Sequence, residues 1–174
     1  MSNDDLFFRG KYRIPSIRLK EWDYRRSALY FITICSKDMK CFFGNIVEGH
    51  MNLNNLGKFA FEYMENININ KKNARVINHI VMPNHVHALI KLKNPTLKKK
   101  TNEFGPLIPG SLSALINQYK GRITKYANTN DLPWDGWHER FHDHIVRDVN
   151  QYEKIDNYIS NNPRNWKSDR YNIY

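Results

Sequence analysis

Cysteine is scarce in this 174-residue sequence, with only Cys35 and Cys41. Two thiols are too few for a secreted disulfide framework, and with apolar neighbours both read as reduced, packed side chains of a cytoplasmic protein. Long apolar runs are also missing. No stretch reaches the roughly 20 residues a membrane-spanning helix needs, and Met1-Ser2-Asn3-Asp4-Asp5-Leu6-Phe7-Phe8 lacks a signal-peptide layout, so no membrane partner is expected. Acid is in deficit: 17 Asp and Glu against 27 Lys and Arg give a net charge of +10. With a pI near 9.6, that favours a polyanionic partner, nucleic acid first. Core-forming residues are plentiful. A hydrophobic share of 41% and an aromatic share of 13% exclude a disordered chain, and the length suits one domain.

No internal repeat is present. Residues 1–26 mix charge and aromatics without periodicity (Arg9, Lys11, Tyr12, Arg13, Arg18, Lys20, Arg25, Arg26) and read as a basic arm, leaving 27–174 as one domain. Residues 28–36, Ala-Leu-Tyr-Phe-Ile-Thr-Ile-Cys-Ser, are β-branched and aromatic and predict a buried strand. Residues 40–53 predict a hairpin turning near Glu48, Gly49 and His50. Leu56, Phe59, Ala60, Tyr63, Met64 and Ile67 form one helical stripe. Two extended runs, 74–82 and 85–92, join at Pro83-Asn84, and residues 91–109 are a basic loop containing Pro and Gly. Ser111 caps a second helix, whose stripe is Leu112, Leu115, Ile116, Tyr119, Ile123 and Tyr126. Residues 140–147 predict another strand. Asp148 caps a last helix that Pro163 stops. Helices and strands interleave and one strand pair is joined too tightly to be parallel, so the expected class is α+β: an antiparallel sheet with helices packed on one face, for which a ferredoxin-like arrangement fits the count.

Side chains alternate along a strand, so in Met82-Pro83-Asn84-His85-Val86-His87-Ala88-Leu89-Ile90 the two histidines share one face with Leu89 and Lys91. Val86, Ala88, Ile90 and Leu92 line the other, apolar face. Two neutral imidazoles projecting together can grip one first-row divalent metal, although paired strand histidines also serve as ordinary surface residues. His142 and His144, in Phe141-His142-Asp143-His144-Ile145, have the same spacing. Spacing alone does not choose between the pairs.

Pro83-Asn84-His85-Val86-His87 resembles the HUH motif (His, hydrophobic, His) of single-tyrosine transposases, in particular the REP-associated tyrosine transposases. Three further blocks are similar to that family. They are Tyr30-Phe31-Ile32-Thr33-Ile34-Cys35, then His142-Asp143-His144-Ile145-Val146-Arg147-Asp148, then Tyr158-Ile159-Ser160-Asn161-Asn162-Pro163-Arg164-Asn165-Trp166. The resemblance runs over residues 17–166. It implies a ferredoxin-like HUH fold, a divalent cofactor (Mg²⁺ or Mn²⁺), and cleavage of single-stranded DNA near a hairpin through a 5′-phosphotyrosine. It also implies His85 and His87 as metal ligands, Asn162 as a third ligand, and Tyr158 as nucleophile.

A helical projection is compatible with that assignment. Tyr119 and Tyr126 lie on a core stripe, as does Tyr152 with Ile155 and Ile159. At about 100° per residue, Tyr158 falls on the shoulder of the last helix, and Asn162 is its neighbour one turn on. The expected DNA contacts are Lys98, Lys99 and Lys100 in the basic loop (with Lys91 and Lys93 beside them), Lys120, Arg122 and Lys125 on the second helix, and Arg147. Two other functions use the same residues: a hairpin-binding protein that does not cut, and a hydrolytic metal-dependent phosphoesterase that forms no covalent intermediate. Asp143, His144 and water are candidates to take the phenol proton. A homodimer is compatible with the sequence, but no stretch specifies its interface.

Overall fold

The computed structural model describes residues 7–8, 11–12, 23–24, 26–93 and 108–173. Within the segment expected as a basic arm, β1 (Phe7–Phe8) and β2 (Lys11–Tyr12) pair antiparallel; most of that segment lies outside the described residues.

The apolar run at residues 28–36 becomes β3 (Ala28–Cys35). The expected hairpin forms as β4 (Gly44–Val47) and β5 (His50–Leu53), with Glu48 and Gly49 both at positive φ in its turn. Next come α1 (Asn55–Asn70), β6 (Ala74–Val81), β7 (His85–Leu92), α2 (Leu112–Thr129), β8 (His142–Val146) and α3 (Val149–Asn161). Short polar side chains set the helix starts. Asn54 Oδ1 accepts from Gly57 N at 2.9 Å, Ser111 Oγ from Ala114 N at 3.2 Å, and Asp148 Oδ1 from Gln151 N at 2.8 Å.

The main sheet has the order β6-β7-β3-β8, antiparallel throughout. With β3-α1-β6-β7-α2-β8 along the chain, this is the ferredoxin-like arrangement, and the β4–β5 hairpin is inserted before α1. Tyr30, Ile32, Val86, Ala88 and Ile90 are buried in one core with the stripes of α1 and α2, so these two helices cover the apolar face. Tyr119, fully buried between them, donates its hydroxyl to the Ala60 carbonyl at 3.0 Å. Gly57 sits where α1 starts against the hairpin approach, and a Cβ there would lie 2.1 Å from the Phe43 carbonyl oxygen.

α3 covers the opposite face. Asn78 of β6 donates to Asp156 Oδ1 at 2.7 Å and to Ser160 Oγ at 3.1 Å, which seats the helix over the side of β7 that carries the histidines. One expectation needs correction. Cys35 is buried but Cys41 is exposed, because the chain turns inward only at Phe43, which takes the core position two residues later. Among the described residues, no helix is long and apolar enough to cross a membrane.

Candidate active site

β7 is an interior strand with β6 on one side and β3 on the other, so its alternation is fixed by two ladders. His85 and His87 both project to the α3 face, and both are fully buried. Their Nε2 atoms lie 3.0 Å apart. The other ring nitrogens are held from behind. His85 Nδ1 is 2.8 Å from Asn84 Oδ1, and His87 Nδ1 is 2.9 Å from Thr33 Oγ1. The Asn84 carboxamide is oriented by its Nδ2, which donates to the Met39 carbonyl at 2.9 Å and to the Tyr171 carbonyl at 2.8 Å. Its oxygen therefore faces His85 and can only accept, which puts the imidazole proton on Nδ1 and the lone pair on Nε2. Such back-side hydrogen bonds are the pattern that orients metal-binding histidines.

Burial disfavours the charged form of both rings. It pushes His85 down to about 3, with the nearby Asn162 carboxamide opposing and the Arg170 charge adding. His87 lies well below its ordinary value through burial and the adjacent His85, with Asp169 opposing. Neutral rings whose Nε2 atoms converge are a ligand pair, not a salt-bridge pair; the His87 Nε2 lone pair is open to a metal when its Nδ1 proton goes to Thr33 Oγ1.

α3 brings Tyr158 to this point. Its hydroxyl lies 3.3 Å from His87 Nε2 and donates to Asp169 Oδ2 at 3.3 Å, while its ring meets Phe31 edge-on. With 37% exposure, the phenol keeps one side open. Burial and then the Asp169 charge push it up to about 12, so at neutral pH it is protonated. One turn on, Asn162 is buried. Its Nδ2 donates to Asp169 Oδ2 at 2.6 Å, and its buried Oδ1 has no hydrogen-bond partner among the described residues. A buried carboxamide oxygen with no partner is costly, and a cation beside the two Nε2 atoms would satisfy it. Asp169 completes the cluster: its carboxylate and the two imidazoles offer ligand atoms within 4.8 Å of one another. Two nitrogens, a carboxamide oxygen and a carboxylate fit a divalent ion of the Mg²⁺ or Mn²⁺ kind.

The C-terminal segment supplied residues that sequence reasoning missed. Asp169, Arg170 and Tyr171 follow a short 3-10 turn (Trp166–Ser168), and no periodicity marks them. Tyr171 and Trp166 lie against His85, with ring centroids at 4.6 and 6.0 Å, and cover the pair. Asp169, not Asp143, is the acid beside the phenol. Asp143 pairs with Ile32 and so faces the apolar side of the sheet. His142 and His144, the rival pair, are exposed on β8 with Thr33 of β3 between His142 and His87 in register, and His144 Nε2 contacts Gln151 Oε1 at 3.2 Å. Cys35 pairs with His85 across the ladder, but burial pushes its thiol up to about 11, which keeps it a poor ligand.

The expected DNA contacts do not converge on this point. Lys120, Arg122 and Lys125 lie on α2, which covers the other face. The Lys120 ammonium donates to the His138 carbonyl at 2.7 Å, and Arg122 and Lys125 are exposed. Arg147 is exposed just after β8. Lys98, Lys99 and Lys100 lie outside the described residues.

Comparison with known proteins gives the class first. The fold is that of a solved REP-associated tyrosine transposase bound to a REP hairpin, with a TM-score of 0.60 and 15% identity over 86% of this chain and 74% of that one. No protein-family model matches the sequence. In sequence, the chain is 34% identical over 169 residues to an uncharacterized protein of Haemophilus influenzae, covering 92% of this chain and 94% of that one. The chain belongs to one family with that Haemophilus influenzae protein.

Proposed function

We propose that the protein is a metal-dependent DNA nickase and strand transferase that acts near hairpins, with Tyr158 as nucleophile. The observation that carries this reading is the meeting of the α3 phenol with the β7 imidazole pair, 3.3 Å from His87 Nε2. A phosphate group placed there touches both. In support, a protein of the same fold was solved with a hairpin bound, and the positive net charge suits a DNA partner.

His85, His87, Asn162 and Asp169 would hold a divalent cation, Mg²⁺ or Mn²⁺. When bound, the ion would neutralise charge on the non-bridging phosphate oxygens and favour the phenolate. The other steps belong to the chain. Tyr158 Oη attacks phosphorus, the Oη–P bond forms and the P–O3′ bond breaks. The phenol proton passes to Asp169 Oδ2, which already accepts it, and the departing 3′ oxygen takes a proton from water. The product is a 5′-phosphotyrosine that keeps the energy of the phosphodiester, so an incoming 3′-OH can reverse the step on another strand. Trp166 and Tyr171 must draw back for a phosphate to reach the Nε2 edges. Arg122, Lys125 and Arg147, with Lys120 and Lys98 to Lys100, are proposed phosphate contacts.

The test is incubation with 3′-end-labelled single-stranded hairpin DNA and Mn²⁺, followed by a denaturing gel. A labelled protein–DNA adduct that a chelator prevents and Tyr158→Phe abolishes is the expected result. Cleavage without an adduct, surviving in Tyr158→Phe, would mean a hydrolase. A bound strand that is never cut would mean a hairpin-binding protein.

A further inference from the structure

The far end of the histidine strand carries an unbalanced set of cations. Arg75 of β6 and Lys91 of β7 are direct cross-strand partners. Two positive side chains thus stand opposite one another on one face, an arrangement that destabilises a sheet. Lys93 extends the same end, its backbone N–H donating to the Asn73 carbonyl at 2.8 Å, and Lys71 and Lys72 come from the turn after α1. With Asn68, Asn73 and Ala74, these five cations line a groove of about 480 Å³ that has no acidic residue in its wall among the described residues. Among the described residues, none of the five side chains has a hydrogen-bond or ion-pair partner.

Ordinary structural roles account for only part of this set. Lys71 and Lys72 follow the C-terminal end of α1, where the helix dipole favours positive charge. Arg75 lies on an edge strand, where a charge discourages pairing with another sheet. Neither reason covers Lys91 on an interior strand, or Lys93 beyond it. The frame is held firmly. Asn68 clamps the outer edge of β6 through both amide atoms, accepting from Val76 N at 2.7 Å and donating to Val76 O at 3.2 Å, next to the register shift between Val76 and Asn78. Lys91 shares the His87 face and lies four residues along β7, about 13 Å away at the usual strand rise.

We propose that this groove binds the phosphodiester backbone of the DNA that the Tyr158 site acts on, with Arg75 and Lys91 as the central pair. Naming DNA as the ligand rests on the transferase reading; the anion requirement rests on the groove alone. A phosphate between Arg75 and Lys91 turns their mutual repulsion into two attractions.

The test uses the full chain and a fluorescent single-stranded hairpin oligonucleotide, with affinity read by anisotropy across a salt series. Each phosphate contact on a single strand contributes about 0.7 to the slope of log affinity against log salt. The Arg75→Gln/Lys91→Gln variant should therefore lose about 1.4 from that slope, so that a fourfold rise in salt costs it about 7-fold less affinity than it costs the wild type. Lys58→Gln, an exposed cation on α1, should leave the slope unchanged. Chemical denaturation of the double variant should show equal or greater stability, since a like-charge contact has been removed. An unchanged slope in a folded double variant overturns the groove, and if the wild type still forms its Tyr158 adduct, the transferase reading survives. Wild-type protein with no salt-dependent DNA affinity overturns both. A shallower slope without any adduct supports the groove and removes the transferase.

Discussion

The buried imidazole pair makes a quantitative prediction about acid stability. His85 and His87 are fully buried, and burial depresses both, His85 to about 3. In the unfolded chain each titrates near its ordinary value, about 6.5. Below that value the unfolded chain takes up two protons that the folded protein does not, so stability is complete above about pH 6.5 and is lost as pH falls toward 3. For His85, going from pH 7.5 to 5.5 costs about 1.4 kcal/mol, and His87 adds to the loss in the same direction. In a domain of this size the His85 share alone corresponds to a fall in Tm of about 3–6 °C. Urea titrations at the two pH values measure it directly. His85→Gln/His87→Gln should remove most of the difference and leave the smaller contribution of His79, which burial also depresses. Saturating Mn²⁺ should stabilise the wild type more at the higher pH, because protons and metal compete for the same lone pairs. A wild-type loss under about 1 kcal/mol, or an equal loss in the double variant, would refute the neutral ligand pair.

Three further outcomes follow from contacts already described. Asn84→Ala removes the acceptor behind His85 and the donors to the half-buried Met39 carbonyl and the buried Tyr171 carbonyl, and should cost about 2–3 kcal/mol in denaturation and lower Mn²⁺ affinity about 10–100-fold by calorimetry. Burial and then the Asp169 charge hold the Tyr158 phenol high; Asp169→Asn removes the second of these, so an ultraviolet titration should find its tyrosinate forming at lower pH, with Mn²⁺ bound more weakly. Gly57→Ala drives a Cβ into the Phe43 carbonyl oxygen and should destabilise by about 1–3 kcal/mol, while Mn²⁺ affinity measured on the folded fraction stays unchanged.

Local signals carried most of the fold. The β-branched run of β3, the three- and four-residue stripes of α1 and α2, and the side-chain caps Ser111 and Asp148 depend on neighbours in sequence, and each stands where those neighbours put it. Strand order depends on contacts between distant segments, so the sequence suggested the ferredoxin-like arrangement without fixing it. The same limit applies to the site. Alternation put His85 and His87 on one face, and helical geometry put Tyr158 and Asn162 on one shoulder, but nothing local said that α3 would cover that face. Asp169 was not legible at all. It lies in a terminal stretch of single turns, and the hydrogen bonds its carboxylate accepts from Asn162, Tyr158 and Tyr171 aim it at the site.

Because the imidazoles grow from an interior strand, the site and the sheet share their fate. Sliding β7 by one residue against β3 would carry Val86 and Ala88 to the α3 side and turn both histidines into the apolar core. An ion gripped by the pair therefore works as a pin through the sheet. It should slow hydrogen exchange along β3 and β7 together, well beyond the few residues that touch it, and leave the separate β4–β5 hairpin exchanging at its former rate.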